Sequence, residues 1–162
     1  MSDVVKGLMN CETLAMGNTN ALAKPKHFIF PAEPIPKGRP RAAVNKKGKA
    51  FMYTPEQTRQ YEEQIAKATR WQFPNSSPLQ CELACFINLF CSNRHCGDID
   101  NLAKSILDGM QKVAFGNDSQ IRSLHVELFF IGEDDHGKPR SEVFLARRKS
   151  AAEYAAEEME QQ

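Results

Sequence analysis

The segment Leu79–Ser92 constrains the fold of this chain more than any other. Leu79, Cys81, Leu83, Cys85, Ile87, Leu89 and Cys91 alternate onto one face of an extended strand, and Ala84, Phe86 and Phe90 make much of the opposite face apolar. A strand apolar on both sides belongs inside a sheet, covered by helices or by a partner. The longest apolar stretches fall far short of the ~18 residues a membrane helix needs, so no membrane partner is expected. A chain of 162 residues is long enough for one domain with a real core.

The elements around that strand follow from local signals. His27–Ala32 reads as a first strand ending near a proline, and Pro34, Pro36, Gly38 and Pro40 then impose an irregular loop that continues through the turn signal Asn45–Lys49. Thr54 is a candidate N-cap, with Pro55 at the first helical position and Gln57 completing a capping box, for a helix running to about Trp71. Its sparse apolar face is Tyr61, Ile65, Ala68 and Trp71. A second helix is predicted over Asn101–Ala114, with Leu102, Ile106, Met110 and Val113 on one face and Asp98 or Asp100 as its cap. Ile121–Ile131 reads as a strand and Ser141–Arg147 as an edge strand. The expected fold is a small single-domain α/β protein, with a mixed sheet of about four strands flanked by helices. That domain spans residues 24–149. Residues 1–23 are small, polar and aperiodic and are expected to form a flexible extension. Residues 150–162 are expected to form an acidic tail or terminal helix.

Cysteine usage points to free thiols. The five cysteines, Cys11, Cys81, Cys85, Cys91 and Cys96, are an odd number without a basic-then-apolar leader after Met1, which argues against a disulfide framework and for a cytoplasmic location. Cys91, His95 and Cys96 lack the second Cys pair that a structural zinc site needs. The net charge of +1 hides an uneven distribution. Lys24–Lys49 carries eight bases against the single acid Glu33, whereas residues from Glu153 onward carry four acids and no base. Such a basic patch suits a polyanionic partner, although a solvated loop carries the same composition.

Most chemistry-bearing residues cluster between Cys96 and Ile121. Asp98 and Asp100 are two apart, so in an extended chain both carboxylates point to one side with Cα atoms about 6.5 Å apart, a spacing that can share one metal ion. Asn101, Lys104 and Asp108 share one face of the second helix. Asp118 follows that helix and would stand about 20 Å from its start, at the far end, unless the sheet or a second subunit brings it back. Carboxylates with one lysine suit divalent-cation chemistry on phosphate. Helix capping and surface ion pairs are the ordinary alternative.

The run Asp98-Ile-Asp-Asn-Leu-Ala-Lys104, with Asp108 four residues on and Asn117-Asp-Ser-Gln-Ile121 after it, closely resembles the RusA family of Holliday junction resolvases. Pro36-Lys-Gly-Arg-Pro-Arg41 and Tyr53-Thr-Pro, with Thr58 and Tyr61, look like phage and prophage members, and the likeness covers roughly residues 27–148. The resemblance implies a Mg²⁺-dependent homodimeric endonuclease, with Mn²⁺ as a substitute ion, that acts in DNA recombination and repair by nicking four-way DNA junctions symmetrically. It implies Asp98, Asp100 and Asp118 as catalytic metal ligands, Lys104 as the catalytic lysine and Asp108 as a further acidic position and candidate ligand. Asn117 stands where the family often has Asp, and Asn101, Asn117 and Gln120 are expected to support the site.

With such an activity, Lys37, Arg39, Arg41, Lys46, Lys47 and Lys49 become candidate contacts to DNA phosphates. Phe51, Tyr53 and Trp71 are candidates to stack on bases, or, for Tyr53 and Trp71, to anchor the first helix. A non-catalytic branched-DNA-binding protein and a metal-dependent nuclease for flaps or other branched DNA are the alternatives.

Overall fold

The computed structural model describes residues 24–74, 76–133, 137–150 and 153. The expectations for the N-terminal extension, Cys11 and nearly all of the acidic tail lie outside these residues. The chain runs β1 (Lys26–Phe30), β2 (Arg41–Val44), β3 (Ala50–Tyr53), α1 (Glu56–Gln72), β4 (Leu83–Cys91), α2 (Ile99–Met110), a short 3₁₀ turn (Asp118–Gln120), β5 (Ile121–Phe130) and β6 (Arg140–Arg147).

Four strands form a mixed sheet in the order β1-β6-β4-β5. The doubly apolar β4 lies inside it, parallel to β5 and antiparallel to β6. β6 is not the edge strand its sequence suggested, because it lies between β1 and β4. Its burial fits that place: Val143 and Leu145 are fully buried and Phe144 nearly so. The stretch read as irregular loop contains the hairpin β2–β3, in which Arg41 pairs with Tyr53 and Val44 with Ala50. Its turn closes as Asn45 Oδ1 accepts from the Lys47 and Lys49 amides, both at 2.9 Å, and Gly48 supplies φ +77°.

The odd-numbered face of β4 packs into the main core with Tyr61 and Ile65 of α1 and Leu102, Ile106 and Met110 of α2. The opposite face is covered by side chains of the sheet itself. Phe86 packs with Phe144, His125 stacks on Phe86 at 4.5 Å, Phe129 stacks on Phe90 at 5.0 Å and the Arg140 guanidinium lies 3.6 Å over Phe90. Rings and an arginine stem thus substitute for the second layer of helices that an apolar face demands.

Both helices differ from their expected bounds. α1 begins at Glu56 with Pro55 as its N-cap and no side-chain cap bond, so the capping box on Thr54 does not form. Thr58, inside the first turn, instead accepts from the Gly38 amide through its Oγ1 at 3.0 Å, tying the helix start to the proline loop. Trp71 does not anchor the helix: it is 82% exposed, and Thr58, Tyr61, Ile65 and Thr69 form the buried stripe. α2 stops at Met110 because Gln111 turns to an extended conformation and Lys112 adopts φ +64°. The two helices meet at Gly109, where a Cβ would lie 2.7 Å from Ile65 Cβ and 2.8 Å from the Glu62 carbonyl oxygen.

Candidate active site and nucleic-acid interface

After β4 the chain turns through residues 92–97 and enters α2. Gly97 has φ +110°, and a Cβ there would meet Pro36 Cγ at 2.9 Å, so both conformation and space require glycine. Asp98 is the N-cap in extended conformation, but Ile99 and Asp100 are already helical. The extended spacing expected of Asp98 and Asp100 does not apply, because the chain is extended only at Asp98 and Asp100 already belongs to the helix. The Asp98 carboxylate accepts from Asn101 Nδ2 at 3.4 Å. Asp100 instead lines a groove with Lys104, Leu107, Leu124 and Val126.

Asp118 is brought back to the helix. The early end of α2 lets the chain fold over Phe115, which bridges to Leu79, and the 3₁₀ turn then feeds β5 alongside β4. Asn117 and Gln120 build that turn. The Asn117 side chain accepts from the Ser119 amide, the Gln120 side chain accepts from the Asn117 amide at 2.8 Å, and Gln120 Nε2 donates to the carbonyls of Leu79 and Cys81. Asn117 is thus a cap of the turn that presents Asp118. Lys104 Nζ bridges Asp108 at 3.3 Å and Asp118 at 3.4 Å. Burial works against its charge, but the two carboxylates outweigh it and hold its pKa above the ordinary lysine value.

Lys37, expected to contact DNA phosphate, is ion-paired within the protein. Its Nζ lies 2.6 Å from Asp108 Oδ2 and also bonds Glu62, so its charge is spent on two carboxylates of the helices. Its backbone amide donates to the Asn101 carbonyl at 2.9 Å, pinning the proline loop against α2. The result is a chain of charges, Glu62–Lys37–Asp108–Lys104–Asp118, that runs from α1 across α2 to the 3₁₀ turn. Glu62 is the member that sequence spacing did not reveal.

The remaining cations are exposed. Arg39, Arg41, Lys46, Lys47 and Lys49 form no ion pair among the described residues. Arg39 and Arg41 line a cleft of about 720 Å³ with Glu33, Asn93, His95 and Cys96, while the three lysines stand at the β2–β3 tip. Phe51 and Tyr53 of that hairpin are also exposed and neighbour each other, with ring centroids 6.2 Å apart. Asn93 and His95 escaped the sequence reading as cleft residues; the clue was their place in the loop that leads into Gly97 and Asp98.

The family model for endodeoxyribonuclease RusA matches residues 31–146. The chain belongs to the RusA family. That span takes in the proline loop, the α2 entrance, Asp108 and Asp118. A search of curated proteins finds no match to the chain.

The donor set fits Mg²⁺ in kind, since Asp98, Asp100 and Asp118 are exposed carboxylates and Mg²⁺ prefers hard oxygen ligands. Among the described residues no three His, Cys, Asp or Glu side chains are gathered closely enough to hold an ion. The positive charge beside Asp108 and Asp118 here is the Lys104 ammonium. Cys85 and Cys91 are buried away from this arrangement, and burial pushes the Cys85 pKa up to about 12.

Proposed function

We propose that this RusA-family chain is a Mg²⁺-dependent endodeoxyribonuclease that works as a homodimer and resolves four-way DNA junctions by paired symmetric nicks. The observation that carries the reading is Lys104, which links Asp118 to α2 four residues beyond Asp100. Asp98, Asp100 and Asp118 would hold the ion. When bound, Mg²⁺ supplies charge neutralisation at the scissile phosphate and acidifies a water. Mn²⁺ meets the same oxygen donors.

Lys104 offers the site a cation on a flexible stem, suited to a phosphate oxygen. Asp108 keeps that ammonium charged and positioned. Arg39, Arg41 and the hairpin lysines add attraction to the DNA backbone without reading sequence. A dimer supplies one such site for each opposed strand.

The test uses an end-labelled four-way junction, a matched linear duplex and a flap substrate, each with Mg²⁺ or with EDTA. Paired nicks confined to the junction and absent with EDTA are expected. Asp100→Asn should lower the nicking rate by roughly 10²–10³-fold, the scale of losing one charge-stabilising group, while leaving junction binding intact. Tight binding without nicks in any lane would sink the enzyme reading in favour of a binding protein. Preferential cutting of the flap would move the substrate to other branched DNA.

A further inference from the structure

No strand residue of the β2–β3 hairpin is buried, and all but Ala43 are exposed. The hairpin nevertheless carries large apolar side chains: Val44 is 68% exposed, Met52 64%, Phe51 47% and Tyr53 42%. Two strands on their own are only marginally stable, and apolar groups gathered on them in water mark a contact surface.

Register divides these groups. Arg41 pairs with Tyr53 and Ala43 with Phe51, so the two rings and the guanidinium share one face, while Val44 and Met52 lie on the other. Ala43 is too small to cover Phe51 from across the ladder. The ring planes of Phe51 and Tyr53 are tilted by 44° with centroids 6.2 Å apart, so neither ring lies flat on the other and each keeps a face toward solvent.

Charge selects the partner. Residues 41–53 contain Arg41, Lys46, Lys47 and Lys49 and no acid. A second copy of the same arm would be repelled. A single strand of nucleic acid matches both features, because its bases present open faces to rings and its phosphates meet the cations. A duplex offers the phosphates but keeps its base faces stacked. Arg41 also ties the ring face to the candidate site, since it lines the cleft with His95 and Cys96, whose loop leads through Gly97 into Asp98.

We propose that the β2–β3 hairpin is an arm for unpaired bases: Phe51 and Tyr53 stack on the bases of a locally single-stranded segment, and Arg41 with the tip lysines holds its phosphates. The inference rests on the DNA reading above and deepens it. A branch point is where base pairing is most readily lost. The arm therefore distinguishes a branch from a continuous duplex without reading sequence, and it brings the cleft and Asp98 to the DNA beside the branch.

The experiment follows the anisotropy of a fluorescein-labelled oligothymidylate, and of a labelled duplex of equal length, with the full chain in EDTA so that no cutting intervenes. Wild type should bind both. Phe51→Ala and Tyr53→Ala should each weaken oligothymidylate binding by roughly tenfold, the scale of one lost base stack, and leave duplex binding within about twofold. Phe51→Tyr should bind as wild type, and Met52→Ala, on the opposite face, should change neither affinity. A 2-aminopurine placed in the oligothymidylate should be quenched by wild type and stay bright with the double variant Phe51→Ala/Tyr53→Ala. Melting curves should match wild type throughout, because the hairpin supports no core. Equal losses on both probes, no loss on either, or a Met52→Ala loss as large as the ring losses would overturn the proposal. A wild type that binds neither probe would overturn it together with the DNA reading. Ring-dependent binding and quenching by a chain that never nicks a junction with Mg²⁺ would overturn the nuclease reading and leave the arm standing.

Discussion

Lys37 and Lys104 both place an ammonium on Asp108, at 2.6 and 3.3 Å. Their surroundings differ. The Lys37 side chain is 26% exposed, and its other partner, Glu62, belongs to α1. The Lys104 side chain is 52% exposed, and its other partner, Asp118, stands at the edge of the candidate site. One lysine ties two helices and a loop together, and the other offers its charge outward. The two oxygens of Asp108 let a single carboxylate serve both. Neighbouring cations of one network therefore need not play the same part, because they differ in burial and in their second partner.

The sharpest way to break the comparison is to remove each lysine in turn. Lys104→Met should cut the nicking rate on a four-way junction by about 10²–10³-fold while the melting temperature stays within a few degrees. An equal loss of stability and activity would show that Lys104 is structural. Lys37→Met should do the reverse, costing about 1–3 kcal/mol in denaturant unfolding because Glu62 and Asp108 lose a partly buried partner, with nicking preserved within a few fold.

A pH series sharpens the same contrast. Burial of Lys37 lowers its pKa, but its bonds to Asp108 and Glu62 prevail and raise it above the ordinary value. A raised lysine pKa stabilises the fold fully below the unfolded value of about 10.4, and that contribution disappears as pH rises through the folded value. The stability gap between wild type and Lys37→Met, read from melts, should therefore hold from neutral pH to about 10 and narrow above it.

The smallest expected effect lies at the hairpin tip. Replacing Lys46, Lys47 and Lys49 together with Gln should weaken junction binding evenly across sequences. The salt dependence of binding should become shallower by about 0.9 for each DNA phosphate that is no longer neutralised. An unchanged slope would remove the hairpin from the DNA interface.

The features legible in the sequence were those with local causes. The alternation along β4 disclosed an interior strand, and the stripe Leu102, Ile106 and Met110 disclosed the buried side of α2. The four-residue step from Lys104 to Asp108 disclosed their pairing. What stayed hidden depends on distant partners. β6 reads as an edge strand until the sheet order places it between β1 and β4. The hairpin strands are four residues each, too short for alternation to distinguish them from a loop. Asp98 and Asp100 read as an extended pair only if the helix starts after them, and it starts at Ile99. Lys37 reads as one more loop cation because Glu62 lies twenty-five residues away.

Gly109 adds a consequence at the contact between the two helices. The missing methyl at this position lets α2 settle directly on the backbone of α1, and Asp108 is the very next residue toward the site. The helix spacing is therefore a gauge: it fixes how far Asp108 stands from Glu62 and Lys37, and through Asp108 where Lys104 is held. A wider gauge would leave every charged group in place along the chain yet shift the whole row out of step with Asp118. The alignment of the charged row is set from behind, by an atom that is not there.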